Sequence, residues 1–401
     1  MPAPFTATLA IGGPAGQMRI LVSAGEASGD WHASELVRAL RQRLPEADFG
    51  GCAGPRMVAA GVHPVVDAGR LSVVGLVEVL AHLPRIYGEF RTLLRWARDN
   101  RPDLAILTDS PDFHLRLAAR LHRMNVPVIY LVAPQVWAWR KGRIRGMKRN
   151  ISHLLCIFPF EEEFFRRRGV QATYIGHPLA GRVQATLSRE EFRRKHRFPD
   201  GRPLVALLPG SRRGVINRHL PELRAAVELI NRRRAASFAL ALPAEPQPQL
   251  AAAAGNLLAG IPVKVIQGET WDLLAHADLA LAASGTVVTE AALLGTPVVA
   301  FYKVNRLSWW MGKYLVRVPH YTMVNLVAGR EVIPELMQDQ LSGKRLSAEA
   351  LRLLEDEAYR ERMKKGLAEV AKKLSSAADP MERAADVVMG LQAHGVRAYG
   401  A

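Results

Sequence analysis

The sequence predicts an α/β protein made of two doubly wound domains that follow one another along the chain. Three observations predict it. Short, continuous apolar runs of strand length alternate with segments whose apolar residues recur at helical spacing, the pattern of parallel strands buried on both faces. The alternation stops at a polar, charged stretch, 185–202, and then begins again. And 401 residues exceed what one hydrophobic core ordinarily organises.

In chain order, 19–24 is the first apolar strand. The turn Gly25-Glu26-Ala27-Ser28-Gly29-Asp30 follows, with Ser28 or Asp30 placed to cap the next helix. Leu36, Val37, Leu40 and Leu44 give that helix its buried face, and Pro45 ends it. Residues 49–53, 103–108, 126–132, 154–158 and 173–175 read as further strands, with an amphipathic helix over 113–124. The linker carries one expected helix, 189–196. Strands then recur at 204–208, 238–242, 263–266, 279–282 and 298–301. Between the last two, Val287, Ala291 and Leu294 mark a helix that Gly295 ends. The tail, 347–396, is helical and charged. The expected partition is a flexible leader over 1–17, a Rossmann-like domain over 18–184, a second over 185–375 and a C-terminal helix over 376–401. That last helix packs back on the first domain or is exchanged with a partner subunit.

Hydrophobic residues make up 49% of the chain, enough for two cores, yet no stretch long enough to span a bilayer is free of charge or Pro. The two cysteines, Cys52 and Cys156, suggest neither a disulfide framework nor a metal site and fit a reducing compartment. Residues 1–17 lack the positive segment of a secretion signal, and Met18 is an alternative start. The net charge of +17 concerns partners rather than fold: an anionic membrane surface, nucleic acid or a phosphorylated substrate. The densest basic run is Arg140, Lys141, Arg143, Arg145, Lys148 and Arg149, just behind Trp137 and Trp139. It suits single-stranded nucleic acid, a lipid headgroup layer or a plain solvated helix.

Open parallel sheets bind ligands beyond the carboxyl ends of their strands. That rule selects 25–30, 109–112 and 133–140 in the first domain. In the second it selects Pro209-Gly210-Ser211-Arg212, Gly268-Glu269 and Ser284-Gly285-Thr286. Ser284-Gly285-Thr286 joins a buried strand to a helix N-terminus, whose unpaired amides and dipole favour an anion. It reads as a phosphate cradle or as a tight turn. Glu290 follows one turn later on the same face and suits a pair of neighbouring hydroxyls, such as those of a ribose. The carboxylates Glu26, Asp30, Asp109 and Asp112 gather in the first domain. Two such domains facing across a cleft would bring acids and anion turns together.

Several phrases together resemble the lipid-A-disaccharide synthase family, glycosyltransferases of the GT-B fold. They include Ala24-Gly25-Glu26-Ala27-Ser28-Gly29-Asp30, Asp109-Ser110-Pro111-Asp112-Phe113, Pro134-Gln135-Val136-Trp137-Ala138-Trp139-Arg140, Ile175-Gly176-His177-Pro178, Leu207-Leu208-Pro209-Gly210-Ser211-Arg212, Ala283-Ser284-Gly285-Thr286 and Asn325-Leu326-Val327-Ala328-Gly329-Arg330. The resemblance runs from about residue 19 to about 340. It implies transfer of 2,3-diacylglucosamine from UDP-diacylglucosamine to the 6-hydroxyl of diacylglucosamine 1-phosphate, with inversion, in lipid A biosynthesis. It implies no metal and no cofactor, and a peripheral enzyme on the anionic inner face of the cytoplasmic membrane. By resemblance Asp109 is the base and Glu26 orients the acceptor, while Asn325 and Arg330 lie near the nucleotide.

Gly210, Ser211, Arg212, Ser284, Gly285 and Thr286 suit the departing diphosphate, which without a metal must be met by amides and an Arg. Asp112 reads as a helix cap and His177 as a packing or hinge residue. The chain departs from the family after Gly210-Ser211-Arg212: an acidic residue usual a few positions on is missing from Arg213-Gly214-Val215-Ile216-Asn217, which bears on donor specificity. Residues 73–83 carry apolar side chains over more than one helix face and are followed by Arg85, Ile86 and Tyr87, as an interfacial helix would be. A homodimer is allowed and no nucleic acid is expected. The alternatives are another UDP-sugar enzyme of this fold, such as a peptidoglycan glycosyltransferase or an epimerase, and a basic nucleic-acid- or membrane-binding protein without activity.

Overall fold

The computed structural model describes residues 17–71, 76–210, 213–244, 255, 260–305, 309–310, 316 and 318–393. The chain divides into two compact units. One runs to Pro178 and resumes at Ser376, and the other is Leu179–Ser375.

The first unit holds a seven-stranded parallel sheet. Its elements are β1 (Arg19–Ala24), α1 (Ala27–Arg43), β2 (Asp48–Ala53), α2 (Pro55–Ala59), β3 (His63–Asp67), α3 (Leu76–Asn100), β4 (Leu104–Thr108), α4 (Pro111–Arg123), β5 (Val128–Leu131), α5 (Arg143–Asn150), β6 (His153–Cys156), α6 (Pro159–Arg166) and β7 (Ala172–Tyr174). The strand order β3-β2-β1-β4-β5-β6-β7 reverses direction between β1 and β4. Consecutive residues of these two strands, Ile20, Leu21 and Val22 and Ala105, Ile106 and Leu107, have no accessible surface, so both faces of the sheet are covered there. The strand β3 was not legible in the sequence. It is an edge strand with only Val66 buried, and it carries Pro64, whose missing N–H is tolerated at an edge.

The second unit holds a six-stranded parallel sheet. It is built from α7 (Arg189–Lys195), β8 (Leu204–Leu208), α8 (Arg213–Arg233), β9 (Ser237–Leu242), β10 (Val263–Gln267), α9 (Thr270–His276), β11 (Leu279–Ala283), α10 (Thr286–Leu293), β12 (Val298–Tyr302), α11 (Met323–Ala328), β13 (Glu335–Met337), α12 (Gly343–Glu355) and α13 (Glu357–Leu374). The order β10-β9-β8-β11-β12-β13 reverses between β8 and β11. The edge strand β13, three residues long, is too short to show a period in sequence.

The last helix, α14 (Pro380–Ala393), belongs to the first unit. Its buried stripe is Met381, Ala384, Ala385 and Val388. Arg43 at the end of α1 donates to Glu382 at 2.6 Å and to Asp386 at 2.7 Å. Exposed ion pairs contribute about 0–1 kcal/mol, whereas each large apolar side chain buried contributes about 1.5–3 kcal/mol. The apolar stripe therefore docks the helix, and the ion pairs fix its register. No helix of the described residues is long and apolar enough to cross a membrane.

Candidate active site

Ligand crevices in such sheets lie where the strand order reverses. In the first unit that point is the exit of β1 and β4, where Gly25 and Asp109 are the first residues beyond the strands. The chain turns sharply after β4. Asp109 and Ser110 have φ of 55° and 35°, left-handed values that side-chain-bearing residues seldom adopt. The Asp109 carboxylate faces the start of α1: Oδ1 accepts the Gly25 amide at 2.8 Å and Oδ2 the Glu26 amide at 3.0 Å. Glu26 is the N-cap residue of α1, and its exposed side chain makes no cap bond. Asp109, from another strand, serves that helix end instead. Gly29 leaves the room, because a Cβ on it would lie 1.6 Å from Asp109 Oδ2.

Burial pushes the Asp109 carboxyl up to about 7, against the pull of the Gly25 and Glu26 amides. A carboxyl poised there takes and returns a proton near neutrality, as a general base must. Behind the turn lie His114 on α4 and Tyr130 on β5, both without accessible surface. His114 Nδ1–H and the Tyr130 hydroxyl donate to the Asp109 main-chain carbonyl, at 3.0 and 2.5 Å. A carbonyl only accepts, which fixes the tautomer. His114 Nε2 then accepts from the Ser23 hydroxyl at 2.8 Å. Burial lowers the His114 pKa to about 4, so the ring is neutral.

The other acids of the first unit have different partners from those expected. Asp30 does not cap its own helix. It is buried, and its carboxylate accepts the amides of Gly54, Arg56 and Met57 at 3.0 Å, capping α2. Asp112 does not cap α4, whose N-cap residue is Ser110 without a side-chain bond. It is exposed and pairs with Arg140 at 2.9 Å and with Arg143. His177 is buried beside Phe158, ring centroids 5.2 Å apart, and burial lowers its pKa to about 4. Trp137, which a single-strand-binding reading needs exposed, is buried and donates its indole N–H to Glu161 at 3.1 Å. Burial pushes Glu161 up to about 8. Trp139 lies 4.2 Å beneath the Arg140 guanidinium.

In the second unit a cavity of about 470 Å³ opens at the reversal between β8 and β11. Gly210, Ser284, Gly285, Thr286, Glu290 and Tyr302 line it, with Pro209 and Thr270 beside them. Gly210 takes φ 102°, a conformation glycine adopts readily and other residues do not. Thr286 is the first residue of α10, and no side chain caps that helix end. Gly285, Thr286 and Val287 at that helix end line the cavity, and the first helical amides lack intrahelical partners, as an anion site requires. Glu290 lies on the same helix. Burial raises its carboxyl pKa, opposed by a hydrogen bond with Trp271. Ser211 and Arg212 lie outside the described residues. Glu269 is taken by Lys195 and His196, at 3.0 and 3.1 Å.

His219 was not legible as a site residue. Its ring has no accessible surface; Nδ1–H donates to the Pro209 carbonyl at 2.8 Å and Nε2 accepts the Lys303 amide at 2.9 Å. It ties the exit of β8 to the exit of β12. In sequence it is one histidine on a helix, and no local signal distinguishes it from a packing residue.

Asn325 and Arg330 do not line this cavity. Asn325 is solvent-inaccessible, and its amide is fully used. Oδ1 accepts the amides of Val332 and Ile333 at 2.7 and 3.0 Å. Nδ2 donates to Ile333 O at 2.9 Å and to Glu335 Oε1 at 2.8 Å. Arg330 is exposed and pairs with Glu369 on α13. Among the described residues no group of three or more His, Cys, Asp or Glu is placed to hold a metal ion.

The family model described as lipid-A-disaccharide synthetase matches residues 20–387. A lipid-A-disaccharide synthase of Solibacter usitatus is 61% identical over 92% of this chain and 96% of its own. The UDP-GlcNAc 2-epimerase of Neisseria meningitidis, solved with UDP-GlcNAc bound, is 12% identical with a TM-score of 0.60, over 94% of this chain and 100% of its own. The glycotransferase of kitacinnamycin is 17% identical with a TM-score of 0.60, over 93% and 98% of the two chains. At those identities the two structures show a shared fold, GT-B, and nothing finer. The conserved fold and the match along nearly the whole chain lead to one conclusion: the chain belongs to the lipid-A-disaccharide synthase family, glycosyltransferases of lipid A biosynthesis.

Proposed function

We propose that this family member moves 2,3-diacylglucosamine from UDP-diacylglucosamine to the 6-hydroxyl of 2,3-diacylglucosamine 1-phosphate, inverting the anomeric centre and releasing UDP. The observation that carries the residue-level reading is the Asp109 carboxyl, held at the strand reversal with its pKa raised to about 7. The acceptor oxygen attacks the anomeric carbon as the bond to UDP breaks, and Asp109 takes the hydroxyl proton. Glu26, exposed beside Asp109, orients the acceptor sugar. The departing diphosphate is assigned to the cavity of the second unit: the Ser284 hydroxyl and the amides of Gly285 and Thr286 at the α10 N-terminus, the Ser284 amide being spent on the Phe301 carbonyl at 2.8 Å, with Gly210 and the Ser211 and Arg212 that follow it in sequence. Glu290 is assigned the ribose. No metal or cofactor enters this reading. Asn325 and Arg330 act in it through the fold of the second unit, since their side chains are used there.

Both substrates are lipids, so we place the protein on the anionic inner face of the cytoplasmic membrane. The net charge of +17 supports this, as do Leu83 and Tyr87 on α3, 47% and 62% exposed. Of the stretch expected at the membrane, 73–83, residues 73–75 and the side chains of 76–82 lie outside what the structure describes. Weaker binding of Leu83→Ser/Tyr87→Ser to anionic vesicles is expected, and unchanged binding would refute that placement. The reaction itself is tested by UDP release. Release that needs donor and acceptor together supports it. Release from donor alone, or conversion of UDP-GlcNAc to its 2-epimer, would favour a different UDP-sugar enzyme.

A further inference from the structure

We infer that His114 and Tyr130 are positioning residues of the transfer reaction, holding the main chain at Asp109 in its left-handed turn and so setting the direction of its carboxyl. The inference rests on Asp109 being the base. Two consecutive side-chain-bearing residues in left-handed conformations persist only where their surroundings over-determine them. Here two buried donors converge on a single carbonyl oxygen, that of Asp109, at 3.0 and 2.5 Å. His114 reaches onward to Ser23 on β1 at 2.8 Å, and Phe113 packs edge-on against its ring, centroids 5.2 Å apart. The turn is thereby tied to β1 and β5, the strands beside β4 on one side and the other.

Neither ring has accessible surface, so neither touches a substrate. The Tyr130 hydroxyl and both His114 nitrogens are spent on the turn and on Ser23, and apolar residues would fill the same core without the risk of unpaired polar groups. The polar choice makes sense if the main chain at Asp109 needs a fixed direction. The carboxyl end of that residue is held independently by the Gly25 and Glu26 amides. Carbonyl and carboxylate together leave the side chain one orientation.

The test compares Tyr130→Phe, His114→Leu and His114→Asn with wild type, all assayed well below their melting temperatures. Tyr130→Phe removes one donor and keeps the ring. His114→Leu removes both hydrogen bonds, and His114→Asn returns a donor near the place of Nδ1. A reacting group misplaced by about 1 Å loses on the order of 100-fold in rate, so loss of one of two donors should lower kcat about 10-fold. KM for the donor and UDP affinity should stay within about twofold, since the diphosphate is assigned to the other unit. His114→Asn should recover turnover that His114→Leu loses, and the acidic limb of the pH profile should shift in Tyr130→Phe. Unchanged kcat and pH profile in Tyr130→Phe, beside an inactive Asp109→Asn, would overturn the inference and leave the base assignment standing. If Asp109→Asn turns over normally, the base assignment falls and this inference with it. If His114→Leu does not fold, Tyr130→Phe decides.

Discussion

Gly29→Ala separates a general rule from the particular geometry at Asp109. Gly29 lies in the first turn of α1, where Ala is ordinarily favoured over Gly by about 1 kcal/mol. Propensity alone therefore predicts a more stable protein. The geometry predicts the reverse. A Cβ on Gly29 would sit 1.6 Å from Asp109 Oδ2 and 2.6 Å from its Cγ. The carboxylate would have to retreat by roughly 1.4 Å, from 1.6 to 3.0 Å, in a close-packed interior. That breaks its bond to the Glu26 amide. An orphaned donor costs about 1–3 kcal/mol, and overpacking a similar amount. A shift of that size at a reacting group costs on the order of 100-fold in rate. Thermal denaturation and UDP-release kinetics should show a lower melting temperature and kcat down about 100-fold, with UDP affinity by calorimetry unchanged. A variant that melts no lower than wild type and keeps kcat within about threefold would refute the reasoning about this contact.

Because the base acts deprotonated and its carboxyl is raised to about 7, kcat/KM should be level above that pH and fall tenfold per unit below it; a profile still level at pH 5 would exclude Asp109 as the base. Glu161 is raised from 4.5 to about 8 by burial, so the folded state holds a proton that the unfolded state gives up. Its contribution to stability is then present below pH 4.5 and lost as pH rises towards 8, at no more than about 1.4 kcal/mol per unit. Denaturant titrations should show this slope in wild type and a weaker one in Glu161→Gln. His219→Phe keeps the ring's volume but frees the Pro209 carbonyl and the Lys303 amide. It should weaken UDP binding about tenfold, the effect of about 1.4 kcal/mol, and calorimetry reads it directly.

The central strands of both sheets were legible because both of their faces are covered, which leaves a continuous apolar run in sequence. The turns at their exits followed from a rule about parallel sheets, and the rule selected 25–30, 109–112, 209–212 and 284–286 without any knowledge of chemistry. What the sequence hid was long-range. Asp30 caps a helix 25 residues further on, at Pro55, and no local signal points there. His114, Tyr130 and His219 read as core residues because they are core residues, and their function is to hold main-chain carbonyls. Asn325 stands in a phrase shared with the family, yet its amide is spent on the chain's own loop. The edge strands β3 and β13 were missed because half-exposed or very short strands carry little apolar pattern. The assignment of Asp109 as base came from family resemblance; the structure adds the amides, the burial and the two donors behind it.

The most direct test of the account is UDP release by Asp109→Asn with both lipid substrates present, measured beside its affinity for UDP. Asn keeps one acceptor for the α1 amides, and the melting temperature reports whether the turn survives. Turnover should fall at least about 100-fold, with UDP binding as in wild type. Turnover close to wild type in a folded Asp109→Asn would contradict it.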